Sequence, residues 1–175
     1  MGILKTGMHP IECNPAPLNL ELFCRELIEE FSAVQTTGHQ IVFICQSHNT
    51  EALMDEQLLH YMFINILSNA VKYSPSGGTI LFDLTCDPVA GVSIFCIQDQ
   101  GIGIPETDQT RLFESFYRAS NVQSIQGTGL GLVIVRRCVE AHNGQISVVS
   151  QIAVGTTVTI VLPLNSEPLL NATID

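Results

Sequence analysis

The chain has 175 residues, enough for one domain with a sizeable core or two small ones. Its formal net charge is −10, from 7 basic against 17 acidic residues, which excludes a broad electropositive surface for nucleic acid. Charged residues make up 14% and hydrophobic residues 46%, a balance that argues for a packed globular domain and against disorder. An anionic small ligand stays open, because a few placed cations and backbone N–H groups suffice for a phosphate.

Residues 1–17 read as a lead-in, with Pro10, Pro15 and Pro17 breaking any regular element. Leu20, Phe23, Leu27, Ile28 and Phe31 recur with helical period and predict a helix over 18–34. Gln40–Cys45 predicts a strand. Asp55 is the expected N-cap of a helix that runs to Tyr73 and stops at Ser74-Pro75-Ser76-Gly77-Gly78. Two strands at about 79–86 and 91–98 predict a hairpin. Residues 99–129 are rich in Gly, Gln, Ser and Asp and predict a long functional loop. A helix is expected from about Thr128 to His142, then strands at 145–150 and 156–162. The polar tail 165–175 is expected to fray. Strands and helices do not alternate one for one, so a mixed sheet with helices on one face fits better than a doubly wound fold.

No apolar run reaches the roughly 18 residues of a membrane span. None of the six cysteines forms a C-x-x-C pair, so reduced core thiols are expected rather than a zinc site or a disulfide framework.

Four segments carry candidate chemistry. In Asn65-Ile66-Leu67-Ser68-Asn69-Ala70-Val71-Lys72-Tyr73, Asn65 and Asn69 share one helical face, opposite a core stripe of Leu59, Met62, Phe63, Ile66 and Ala70. Amide oxygens are hard ligands suited to Mg²⁺, and Lys72 supplies a point charge for phosphate. Two solvated amides on an exposed face are the ordinary alternative. Asp99-Gln100-Gly101-Ile102-Gly103-Ile104-Pro105 follows a strand, and its carboxylate is an acceptor that selects an exocyclic amine such as adenine N6. A tight turn with a surface Asp is the plainer reading. Gly127-Thr128-Gly129-Leu130-Gly131-Leu132 opens a helix, where N–H groups favour anions. It matches neither a dinucleotide fingerprint nor a P-loop. In Leu112-Phe113-Glu114-Ser115-Phe116-Tyr117-Arg118, Phe113 and Phe116 are spaced to dock a turn of helix and deliver Arg118 to a phosphate.

In this order and spacing the four segments resemble the N, G1, F and G2 boxes of the ATP-binding catalytic domain of sensor histidine kinases. That domain shares a superfamily with gyrase, Hsp90 and MutL. Ala141-His142-Asn143-Gly144 and Gly155-Thr156-Thr157 extend the resemblance, which covers about residues 18–164. It implies an α+β fold of Bergerat type: a two-layer α/β sandwich with a mixed sheet of about five strands, three helices on one face and a mobile ATP lid. It also implies Mg-ATP as the ligand and transfer of the γ-phosphoryl to a histidine on a separate dimerisation domain. A response-regulator receiver domain is the implied downstream partner, and the cytoplasm the implied location of this catalytic portion, with a membrane anchor on the full-length protein left open.

Carried over by residue, the resemblance makes Asn69 the Mg²⁺ ligand, and Asn65, Lys72 and Arg118 the catalytic, phosphate-positioning groups. Tyr73 packs on the adenine, with Ile104 and Leu132 as apolar walls, and Asp99 reads the base. Gly101, Gly103, Gly127, Gly129 and Gly131 shape the lid ends, with Thr128 and Leu130 between the last three. Thr156 joins the Asp99–adenine water network. Asn65 stands where the ATPase relatives carry Glu, a departure that favours a kinase over gyrase-like hydrolysis. An anti-sigma-type serine kinase and a degenerate ATP-binding scaffold are the other readings.

None of His9, His39, His48, His60 and His142 has the helical context of a phosphoacceptor, and His60 is expected to be structural. The chain is therefore expected to be a piece of a larger kinase. Residues 1–17 would be a linker, with Ile3–Met8 as the end of the dimerisation hairpin. Residues 18–164 would be the catalytic domain and 165–175 a tail.

Overall fold

The computed structural model describes residues 11–122, 125 and 127–166. The expectations for Ile3–Met8, His9 and Pro10 lie outside these residues. Five strands form the main sheet: β2 (Gln40–Cys45), β4 (Thr79–Asp87), β5 (Val92–Asp99), β7 (Gly155–Pro163) and β6 (Gln145–Gln151), in that spatial order. β2 runs parallel to β4 and every other pair is antiparallel, so the sheet is mixed. The helices α1 (Leu20–Val34), α2 (Glu56–Tyr73) and α4 (Gly131–Ala141) form the second layer.

Local chemistry accounts for the long helices. Asn19 caps α1 by accepting from Leu22 N–H, and Asp55 caps α2 by accepting from Leu58 N–H. The expected stripe on α2 is the core face: Leu59, Met62, Phe63, Ile66 and Ala70 are all buried. Phe63 is at its centre, with ring centroids 4.8 Å from Phe95, 5.3 Å from Phe82 and 6.3 Å from Phe23. One aromatic cluster thus joins α1, α2 and the sheet.

Two strands were not expected. β1 (Ala16–Asn19) pairs antiparallel with β3 (Glu51–Met54), so the lead-in is not free of regular structure. Pro17 is tolerated because it lies opposite Leu53, whose N–H goes to the Leu164 carbonyl and whose carbonyl takes Ser166 N–H. Both backbone groups of Leu53 point away from Pro17, so the missing proline N–H leaves nothing unpaired. The same contacts correct the tail. Ser166 is buried, so Asn165 and Ser166 do not fray, and the expectation for 167–175 lies outside the described residues.

The long loop also holds more structure than expected, with α3 (Glu106–Gln109) and a 3₁₀ turn at Ser120–Val122. α4 begins at Gly131 rather than Thr128. Gly129 interrupts the helical path with φ +71°, and a Cβ there would lie 2.7 Å from the Phe116 carbonyl carbon.

All six cysteines are free. Burial pushes the Cys24 and Cys86 thiols up and that of Cys138 to about 11, which keeps them protonated core groups. His60 forms a 3.5 Å contact with Glu30, in keeping with a structural role. No helix among the described residues is long and apolar enough to cross a membrane.

His142 joins the end of α4 to the start of α2. Its Nε2 accepts Asp55 N–H at 3.1 Å, so Nδ1 carries the proton given to the Cys138 carbonyl at 2.9 Å. Burial lowers its pKa from 6.5. The unfolded chain therefore takes up a proton that the fold refuses, and stability falls as pH drops below about 6.5 toward the lowered value. Urea midpoints at about pH 7.5 and about pH 5.5 check this. The midpoint is expected to drop at the lower pH, and to drop less in His142→Gln.

Candidate functional site

A cavity of about 530 Å³ opens between α2, α4, the ends of β5 and β7, and the 99–129 loop. Asn65, Asn69, Lys72, Tyr73, Asp99, Gly103, Ile104, Arg118 and Thr156 all line it, as does every residue from Gly127 to Leu132. Gly101 is the exception. It is buried beneath, where a Cβ would lie 2.5 Å from the Tyr73 carbonyl oxygen. Gly103, at φ +69°, runs so close to the β6–β7 turn that a Cβ would clash with the Gln151 carbonyl. These contacts explain why the G1-like segment carries glycines at both positions.

One end of the cavity presents an acceptor. Asp99 ends β5, and its Oδ1 accepts Gly101 N–H at 2.8 Å and Thr156 N–H at 3.2 Å. Among the described residues nothing donates to Oδ2. Burial pushes the Asp99 carboxyl up from 3.8, against the lowering effect of those two N–H bonds.

The other end gathers cations and N–H groups. A Cβ on Gly127 would lie 2.7 Å from Lys72 Nζ, 3.9 Å from the Tyr73 hydroxyl and 4.0 Å from Arg118 Nε. A Cβ on Gly131 would lie 3.1 Å from Asn65 Oδ1 and 3.9 Å from Asn69 Nδ2. Asn65 Nδ2 donates to the Tyr61 carbonyl at 2.7 Å. No side chain caps α4, so its first N–H groups stay open to an anion. Tyr73 spans the two ends, since its carbonyl takes Ile102 N–H at 3.0 Å while its hydroxyl reaches Gly127.

The loop is held differently from expectation. Phe116 is 73% exposed with φ +65°, and Phe113 is half-buried beneath the Arg136 guanidinium. Leu112, Ala119 and Val122 are the buried anchors instead. Asp108, nearly buried, ties the segment together by accepting from the Tyr117 hydroxyl and from the backbone and hydroxyl of Ser120. Arg118 lies between them and donates to the Val122 and Ile125 carbonyls.

Several cavity residues escaped the sequence reading. Ile97, Val148 and Val158 form an apolar floor, and Ser150 bonds to Thr156 from behind. The alternation of buried positions along β5 and β7 was the available signal for the floor.

An acceptor at one end of an apolar slot and an uncapped helix start at the other define a nucleotide-type site on a sandwich of this topology. The chain belongs to the histidine kinase-, DNA gyrase B-, and HSP90-like ATPase family, whose sequence model matches residues 54–166. It is 38% identical over 147 residues to the sensor histidine kinase WalK of Bacillus subtilis, covering 83% of this chain and 24% of that protein. It is 33% identical over 150 residues to the sensor histidine kinase RppB of Synechocystis, covering 84% of this chain and 33% of that protein. The mycobacterial sensor histidine kinase MprB matches with a TM-score of 0.72 at 30% identity, over 86% of this chain and 97% of that structure. Full-length ShkA, solved with AMPPNP, matches with a TM-score of 0.76 at 28% identity, over 89% of this chain and 32% of that structure. Fold and sequence are those of the ATP-binding catalytic domain of histidine kinases. The chain spans about a quarter to a third of the two curated relatives.

Proposed function

We propose that this chain binds Mg-ATP and transfers its γ-phosphoryl to a histidine on the dimerisation domain of a sensor histidine kinase. The single observation that carries this reading is the polarity of the cavity. A carboxylate acceptor stands at one end, and Lys72, Arg118 and the start of α4 stand at the other, the arrangement a base-plus-phosphates ligand requires. Asp99 Oδ2 accepts the adenine amine. Tyr73, Ile104 and Leu132 enclose the base. The glycines from Gly127 to Gly131 bring backbone N–H groups and Thr128 close to the phosphates.

The donor set fits a magnesium ion that arrives with nucleotide. No cluster of His, Cys, Asp or Glu among the described residues makes a metal site. Asn65 and Asn69 instead bring neutral amides to one place. The amide oxygen of Asn69 would complete a shell made mostly of phosphate oxygens and water. There the ion would supply charge neutralisation. Lys72 and Arg118 hold the phosphates in line, which is most of what phosphoryl transfer asks of a protein. Asn65 positions the phosphates or a water but has no basicity, so hydrolysis of the gyrase type lacks its activating carboxylate. Phosphohistidine then passes to a receiver aspartate. A need for ATP supports a cytoplasmic location for the domain.

The test supplies the dimerisation hairpin of the same kinase in trans with γ-labelled ATP. Label on its acceptor histidine is expected. An unlabelled hairpin, with this chain binding ATP, would overturn the kinase reading.

A further inference from the structure

Three contacts meet on one hydroxyl behind the acceptor end of the cavity. Ser150 Oγ accepts Ile104 N–H at 2.8 Å, donates to the Gly155 carbonyl at 3.0 Å and sits 2.8 Å from Thr156 Oγ1. Ser150 is itself held, because its carbonyl takes Gln109 Nε2 at 2.9 Å. A hydroxyl has one proton and a carbonyl oxygen has none to give. All three contacts are satisfied at once only when the Ser150 proton points to Gly155 and Thr156 is the donor in the Ser150–Thr156 bond. Thr156 Oγ1 then has only lone pairs left for the cavity. Asp99 Oδ2, beside it, is likewise only an acceptor.

We propose that Ser150 is a specificity-positioning residue. By fixing where the Thr156 proton points, it makes this end of the cavity a pair of acceptors. A purine edge with an exocyclic amine brings two N–H donors to such a pair. A keto oxygen in place of the 6-amino group, as in hypoxanthine or guanine, sets acceptor against acceptor at that position and leaves a polar group unpaired. Were the Thr156 hydroxyl free to turn, it could donate to a keto oxygen and soften the refusal. This inference rests on the ATP-binding reading above.

The experiment compares ATP and inosine triphosphate affinities by calorimetry, with magnesium, for the 175-residue chain. Ser150→Ala is expected to lower the ATP preference about tenfold, the scale of one hydrogen bond changing sign. Loss of the Ile104 and Gly155 anchors alone would weaken both nucleotides alike and leave the ratio unmoved. Thr156→Val is expected to lower the preference by itself, and Ser150→Ala added to it to change the ratio no further. Ser150→Thr, which keeps the hydroxyl, is expected to restore the wild-type ratio. An unchanged ratio in Thr156→Val overturns the proposal even if Ser150→Ala fails to fold. So does a Ser150→Ala effect that persists in the Thr156→Val background. Wild-type chain that binds neither nucleotide overturns the ATP reading itself, an outcome distinct from tight ATP binding with an unresponsive ratio.

Discussion

Asp99→Asn is expected to weaken Mg-ATP binding by roughly tenfold to a hundredfold, the range of a hydrogen bond to a charged acceptor. Gly101 and Thr156 N–H both point at Oδ1, so the single amide oxygen of Asn must take that place. The NH₂ group then occupies the position of Oδ2, and a donor faces the donating amine of adenine. Calorimetry reads the loss, and a thermal melt shows that it is not unfolding. Burial raises the pKa of Asp99, so the fold tolerates its ionised form less well than the unfolded chain does. A neutral Asn is accordingly expected to leave the melting temperature of the free protein nearly unchanged. The same raised pKa sets a pH dependence. Affinity is expected to hold at neutral pH and to fall, on acidification, at a pH above the ordinary carboxylate value.

Chelation of magnesium is expected to lower ATP affinity by about tenfold or more, the loss of a charge-neutralising partner at a site with few others. Of the chain's seven basic residues, Lys72 and Arg118 alone stand at the anion end among the described residues lining the cavity. Arg118 already donates to two loop carbonyls. A triphosphate brings more negative charge than these two neutralise, in a protein whose net charge is −10. Asn69→Leu removes the amide while keeping a branched side chain of the same number of heavy atoms. It is expected to weaken Mg-ATP and to shrink the effect of chelator, because the ion loses its protein ligand. A chelator effect of full size in Asn69→Leu would move the ion to Asn65.

The three long helices were legible in the sequence, apart from the start of α4, because their signals are local. Asp55 followed by apolar residues at helical spacing marks α2 as plainly in the sequence as in the fold. β1 and β3 were not legible, because Pro17 reads as a breaker until Leu53 is seen to spend its backbone bonds on residues 164 and 166. The Phe113–Phe116 spacing suggested an anchor that Leu112 and Val122 supply instead. Gly129 redirects the backbone there and leaves Phe116 outside. The candidate site was the more legible part. Gly-x-Gly after a strand, amides four residues apart and a glycine-rich helix start are short patterns that declare themselves. Its floor and the Ser150 proton were hidden, since Ile97, Val148 and Val158 look like ordinary strand residues. The direction of one hydroxyl depends on partners at 104, 155 and 156.

The cavity's role as an ATP site is tested most directly by titrating nucleotide into the intact chain in a calorimeter with magnesium present. One saturable site for ATP is expected, with inosine triphosphate clearly weaker and both diminished by chelator. Absence of binding heat together with no rise in melting temperature at millimolar Mg-ATP, or equal affinity for the two nucleotides, would contradict it.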